Sequence, residues 1–320
     1  MTARVRLAAQ ALVVCAIVLT ELVPAFSDSP LSIAVVLSRE AAPYRQALRG
    51  FEEVIRGSGR TYRLHEFSME GPVPDEETLV ERVRSRRPDL ILTIGSNATS
   101  SISDRVRDIP IVFSMVLPSS GNMTLEELRV SRENLTGASM EIPLQTQFAK
   151  IREVLPEARR IGVLYNPAIT GPIVETASGT AAAMGLELVP VRVESEKDVV
   201  AGTEALADNV DALWSVADST VFSPQGLKQI LLATLRNRIP FVGLSPSFVK
   251  AGALVAFSVD YLDVGRQSGE QALRVLSGKV PSTIEMTVPR VVSLSVNMNT
   301  ARQIQVQIQD EVKKQAELYF

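Results

Sequence analysis

Pro88-Asp89-Leu90-Ile91-Leu92 runs into Gly95-Ser96 and then into Asp108-Ile109-Pro110-Ile111-Val112. Far downstream, Val210-Asp211-Ala212-Leu213-Trp214 runs into Asp218-Ser219 and then into Arg238-Ile239-Pro240-Phe241-Val242. In both stretches an apolar segment enters with Asp, ends in a polar turn, and is followed by a second segment opened by Ile-Pro. A short apolar run bounded by turn residues reads as a buried strand, and small polar residues after it read as a helix start. The two stretches are expected to be corresponding pieces of two similar lobes.

The surrounding sequence extends the pattern. Residues 31–37 are apolar and rich in β-branched side chains, and Tyr44, Leu48, Phe51 and Ile55 then recur at the spacing of one helix face. Further strands are expected at 64–67, 90–94 and 111–115, with a polar helix at 75–86. A helix at 144–155 precedes a second series of strands at 161–165, 186–193, 212–216 and 241–244. Continuous apolar strands alternating with helices indicate parallel sheets covered on both faces, an α/β fold of two Rossmann-like lobes. The length of 320 residues agrees, since single domains usually hold ~100–200.

Composition removes several functions. With 33 Lys+Arg against 36 Asp+Glu the formal charge is −3, so no basic excess exists to neutralise a nucleic-acid backbone. One Cys and one His leave no material for thiolate zinc sites or His-centred triads, so neither a metal nor a catalytic role is expected. The single histidine, His65, reads as a surface residue. Neither a Gly-x-x-x-x-Gly-Lys nor a Gly-x-Gly-x-x-Gly turn is present, and no cofactor is expected. Arg4 and Arg6 precede an apolar run over residues 7–19, and small residues follow at Ala25 and Ser27. Residues 1–27 therefore read as a signal peptide cleaved after Ala25 or Ser27, which exports a periplasmic protein; the run is short for a membrane span. Cys15 lies inside it and is lost on cleavage.

Parallel sheets bind ligands beyond the carboxyl ends of their strands, where helix N-termini and free backbone N–H groups are exposed. Gly95-Ser96-Asn97-Ala98-Thr99 is such a place: it receives an anion, or it simply caps a helix, and the residue types serve both roles. Asp218, followed by Ser219, stands at the corresponding end in the second series, where it pairs with an amino group or caps the following helix. Asn166 ends the strand at 161–165 and either donates to a ligand or makes the turn before Pro167. Ser38 and Ser245 follow the strands at 31–37 and 241–244, Ser114 lies near the end of the strand at 111–115, and the three complete the candidate set. Trp214 lies within its strand and reads as core.

Gly162-Val163-Leu164-Tyr165-Asn166-Pro167, then Asp211-Ala212-Leu213-Trp214 leading to Asp218, then Ile239-Pro240-Phe241-Val242, Phe248-Val249-Lys250-Ala251-Gly252-Ala253-Leu254 and Asp260-Tyr261 with Gly265-Arg266 resemble the substrate-binding proteins of ABC transporters. The group includes tryptophan- and tyrosine-binding members. The resemblance runs from about Leu31 to the C-terminus, where Asn299-Thr300-Ala301-Arg302 also fits. It implies a type I periplasmic binding fold, with two lobes closing like a Venus flytrap on a ligand. Lobe one would hold residues 28–136 and 252–288, and lobe two 137–251 and 289–320. The chain would cross near Thr136, Ala251 and Val288, and the helix at 260–278 would pack its Gly265, Gly269, Ala272 and Leu276 stripe on the first sheet.

The resemblance also implies that Ser96 to Thr99 face the ligand and that Asp218 meets its amino group, a clamp from opposite lobes. Asp218→Ala would then abolish binding without unfolding the protein. The partners implied are an amino acid or similar small molecule and an ABC permease, with a membrane signalling receptor as the alternative; the protein itself would be a monomer and not an enzyme. The sequence departs from the family where Gly171-Pro172 and Ser219 replace the usual Asn-Ser and Asn, and where Arg39 and Glu40 occupy the first-strand loop. Those two charges either select the ligand or are solvated.

Overall fold

A computed structural model describes residues 30–70, 75–117 and 131–320. The expected signal peptide lies outside the described residues. No helix among those described is long and apolar enough to cross a membrane.

Two sheets organise the chain. In the first, β1 (Leu31–Leu37) is flanked by β2 (Tyr62–Ser68) and β3 (Leu90–Ile94), followed outward by β4 (Ile111–Val116) and β5 (Leu135–Ser139), all parallel in the order β2-β1-β3-β4-β5. Side chains alternate across this sheet: Ile33, Val35 and Leu37 enter one core, Ala34 and Val36 the other. That double burial is why β1 is apolar at every position from Ile33 to Leu37 instead of every second one. Helix α1 (Ala42–Gly57) covers one face through Ala47, Leu48, Phe51 and Ile55. Helices α2 (Glu76–Ser85) and α3 (Ser96–Ser103) cover the other. Asp75 caps α2 by accepting the Thr78 N–H at 2.9 Å.

The second sheet repeats this order before adding to it. Strands β6 (Arg160–Tyr165), β7 (Glu187–Arg192), β8 (Ala212–Trp214), β9 (Phe241–Gly243) and β10 (Val255–Val259) lie in the order β7-β6-β8-β9-β10. Position for position this matches the first sheet, so β3 corresponds to β8 and β4 to β9. The two stretches that resemble each other in sequence thus fill the same places. Their aspartates act alike: Asp89 accepts the Ser32 N–H at 2.8 Å, and Asp211 accepts those of Arg159 and Arg160 at 2.8 and 2.7 Å. Each ties the entry of the third strand to the entry of the first. The connecting helices are α4 (Leu144–Val154), α5 (Pro167–Ala183), α6 (Asp198–Leu206), α7 (Pro224–Arg236) and α8 (Pro246–Ala251).

Three features differ from the sequence reading. Strand β10, placed in the first lobe by the expected crossing at Ala251, pairs with β9 in the second sheet, so the chain leaves that sheet only at about Asp260. Likewise β5 pairs with β4, which moves the first crossing from Thr136 to beyond Ser139. The second sheet is also not wholly parallel: β11 (Val292–Asn297) runs antiparallel to β10, and β12 (Ala316–Tyr319) then pairs parallel to β11. Sheet membership depends on which strand lies alongside, and an apolar run does not encode its neighbour.

Helix α9 (Tyr261–Leu276) returns to the first sheet, where Val264, Ala272 and Val275 join the core of β1 and β3. Its glycines meet α1 rather than the sheet. A Cβ on Gly265 would stand 1.9 Å from the Ala47 carbonyl oxygen, and one on Gly50 would stand 1.9 Å from that of Leu262. Glycine on both sides lets the two backbones touch. Helices α10 (Met298–Gln303) and α11 (Asp310–Gln315) close the second lobe.

Candidate functional site

A cavity of about 260 Å³ opens where the chain passes between the two sheets. Leu117, Glu141, Ala217, Leu244 and Tyr261 lie on its wall, each just past the carboxyl end of a strand. The doubly wound topology is known to open its binding crevice there. Ile142, Trp214 and Phe257 make much of the wall apolar, and no Lys or Arg among the described residues lines it.

On the first-lobe side, the candidate residues form one hydrogen-bonded corner. Ser38 accepts the Ala98 N–H through its Oγ at 2.9 Å, which ties the end of β1 to the start of α3. Gly95, at φ +94°, makes the turn into that helix; a Cβ there would lie 2.6 Å from the Tyr44 ring and 2.7 Å from the Ser38 Oγ. Ser96 accepts the Leu117 N–H at 3.1 Å, which joins the corner to the cavity wall. Thr99 is buried and donates to the Gly95 carbonyl at 2.9 Å, Ala98 is buried, and Asn97 is exposed. Ser114 is fully buried, and its Oγ has no partner among the described residues. Among the charges thought to face the ligand, Glu40 is spent on Arg45 at the surface, and Arg39 is exposed.

On the second-lobe side, Asp218 departs from the expected clamp. It is 2% exposed and accepts four hydrogen bonds from its own lobe. Oδ2 takes the Asn166 N–H at 2.7 Å and the Thr170 hydroxyl at 2.6 Å; Oδ1 takes the N–H groups of Thr220 at 2.9 Å and Val221 at 3.3 Å. A carboxylate has about four lone-pair sites, and these donors fill them. In this structure Asp218 is a strut between β6 and the turn after β8; it does not cap the following helix, α7, whose N-cap is Ser223. Asn166 caps α5 by accepting the Ala168 N–H and donates to the Thr220 Oγ1 at 3.0 Å. Ser219 is exposed beside them. Of the sequence-derived candidates, Ser245 alone is on the cavity wall itself.

The wall residues that sequence reading passed over sit on the crossing segments and in the core. Trp214 is buried as expected, with its ring 5.3 Å from that of Phe148, yet it also lines the cavity. Its indole N–H donates to the Gln147 Oε1 at 2.9 Å, and the Gln147 amide donates to the Ile142 carbonyl at 2.8 Å. Ser215 donates to the Val242 carbonyl at 2.7 Å. Burial raises the Tyr261 hydroxyl above its ordinary value, with a smaller contribution from neighbouring Tyr44. Glu141 follows β5, and burial lifts its carboxyl above the usual range. Its sole signal in the sequence was one acidic residue set between Met140 and Ile142.

This architecture, two doubly wound sheets with a cavity beyond their strand ends, defines a two-lobed type I periplasmic binding fold. The profile of the ABC transporter substrate binding protein family matches residues 32–319, and the chain belongs to that family, whose members are binding proteins. A tyrosine-binding protein of Clostridioides difficile is 22% identical over 268 residues, covering 82% of this chain and 77% of that protein. The ABC domain from Streptococcus pneumonia in complex with L-Trp is 21% identical with TM-score 0.63, covering 91% of this chain and all of the other. The ligand-free, open structure of a substrate binding protein with adhesive properties from Clostridium difficile is 19% identical with TM-score 0.76, covering 90% and 99%.

Proposed function

We propose that this protein captures an amino acid or a close analogue in the cavity between its lobes, closes on it, and presents it unaltered to an ABC permease. The observation that carries the reading is the cavity: it sits at the crossings, draws its wall from both sheets, and combines an apolar interior with few polar groups. At about 260 Å³ it falls slightly below the ~300–1,000 Å³ common for small-molecule sites, which suits one amino acid better than a peptide or oligosaccharide. The relatives that bind tyrosine or carry L-Trp support the same class of ligand.

Binding across two lobes favours whichever arrangement lets both touch the ligand, so closure is a population shift driven by differential affinity. The N-terminus of α3 offers its positive dipole end, and Ser96 and the exposed Asn97 at its start are the first-lobe contacts for a ligand carboxylate. Ser245, on the cavity wall, is the second-lobe contact. No bond is made or broken. Export to the periplasm, carried by residues 1–27, belongs to the same reading. A thermal-shift screen of the purified protein against the common L-amino acids and simple sugars tests it. The expected result is a rise in Tm with one or a few amino acids; stabilisation by sugars alone, or turnover of any added compound, contradicts it.

A further inference from the structure

We propose that Glu141, on the first crossing between the lobes, is the ammonium-binding group of the cavity; the inference rests on the amino-acid reading and names the residue that selects the ligand's charge. Glu141 has no ion pair and its carboxylate no hydrogen bond among the described residues. Among the described residues Glu141 is the one charged side chain on the wall; Ser245, Ser258 and Tyr261 are uncharged, and other polar groups nearby are engaged. Gln147 holds Trp214 and the Ile142 carbonyl, Ser215 holds the Val242 carbonyl, and Asp218 has all its acceptor sites filled.

Among the described residues the wall supplies no counter-charge, since neither Lys nor Arg is found there. A carboxylate partly withdrawn from water without a partner is costly, and a ligand bearing a positive charge removes that cost when it binds. Burial is what raises the Glu141 carboxyl, with no charged neighbour contributing, as expected for an anion awaiting its cation. Beside it lie Ile142, Trp214, Phe257 and Tyr261, a surface for the apolar body of the same molecule. Ser96, one hydrogen bond from the wall through Leu117, opens the helix whose dipole favours the ligand's anionic end. The class of ligand is therefore a zwitterion or amine with an apolar side chain, and an uncharged sugar or a deaminated acid is excluded. The position is also mechanically apt. A cation seated on a crossing segment is held at the pivot, where its contact persists as the lobes close.

The test is calorimetry on wild-type protein and the variants Glu141→Gln, Glu141→Asp and Asp218→Asn. The probes are L-tryptophan, L-tyrosine, L-phenylalanine and L-leucine, the amines tryptamine and tyramine, and the deaminated acids 3-(indol-3-yl)propionate and 3-(4-hydroxyphenyl)propionate. The wild type is expected to bind at least one amino acid and not its deaminated partner. Glu141→Gln should weaken that binding about 10- to 100-fold, the usual effect of losing a charge-assisted hydrogen bond, and Glu141→Asp should weaken it less. Asp218→Asn should weaken it least among folded variants. An apo melting temperature in Glu141→Gln at or above that of wild type shows that the fold is intact. Undiminished amino-acid affinity in Glu141→Gln overturns the assignment and leaves the amino-acid reading standing. Binding of none of these probes overturns the assignment, while the amino-acid reading is decided by the wider thermal-shift screen; binding of deaminated acids alone overturns both.

Discussion

Asp218 and Glu141 are carboxylates with opposite circumstances. Asp218 is saturated by four donors from its own lobe, whereas Glu141 faces a cavity with none. Asp218→Ala should therefore act on stability first, because it strands the buried Thr170 hydroxyl and Val221 N–H and the half-buried N–H groups of Asn166 and Thr220. A loss of about 2–4 kcal/mol in urea unfolding is expected, given ~1–3 kcal/mol for each buried group left unpaired and partial relaxation. Native stability with abolished ligand binding would instead restore the clamp read from the sequence. That clamp was legible as a polar residue at a strand end. Its actual role was not, because Thr170 and Asn166 lie 48 and 52 residues away and reach Asp218 only through the fold. Glu141 was less legible still, since crossing segments have neither the helix nor the strand period that marks a face.

At the scale of elements, the contact of α1 with α9 sets how the final long helix joins the first sheet. The stripe of Gly265, Gly269 and Ala272 announced close packing, and close packing is what occurs, although the partner is a helix. Gly265→Ala must push Cβ against the Ala47 carbonyl. It should cost about 3 kcal/mol, at the upper end of the ~1–3 kcal/mol typical of overpacking. Gly171→Ala in α5 is the contrast, because nothing lies within 4 Å of the added methyl. There a gain of up to about 1 kcal/mol is expected, as alanine suits a helix interior better than glycine. Chemical denaturation of both variants measures the pair, and equal effects would contradict the packing account. The strands themselves were legible from apolar runs with turn residues between them. The membership of β5 and β10 was not, because the same run suits an edge, a centre, or the sheet of either lobe.

For the whole molecule, the duplicated order of strands explains why the cavity lies where it does. Each sheet brings its third and fourth strands to a carboxyl end, and the crossings set those ends on either side of one cavity. The repeat was readable because Asp89 and Asp211 perform one task, holding the third strand to the first, so the sequence around them is constrained alike. The cavity's chemistry was not, since it is assembled from residues on several strands and two crossings. The central claim is that the two lobes close around a small ammonium-bearing ligand. Small-angle X-ray scattering of the purified protein, alone and saturated with the amino acid that most raises its Tm, tests it most directly. A smaller radius of gyration with ligand, lost at the same concentration in Glu141→Gln, is the result expected; an unchanged radius in the saturated wild type would contradict it.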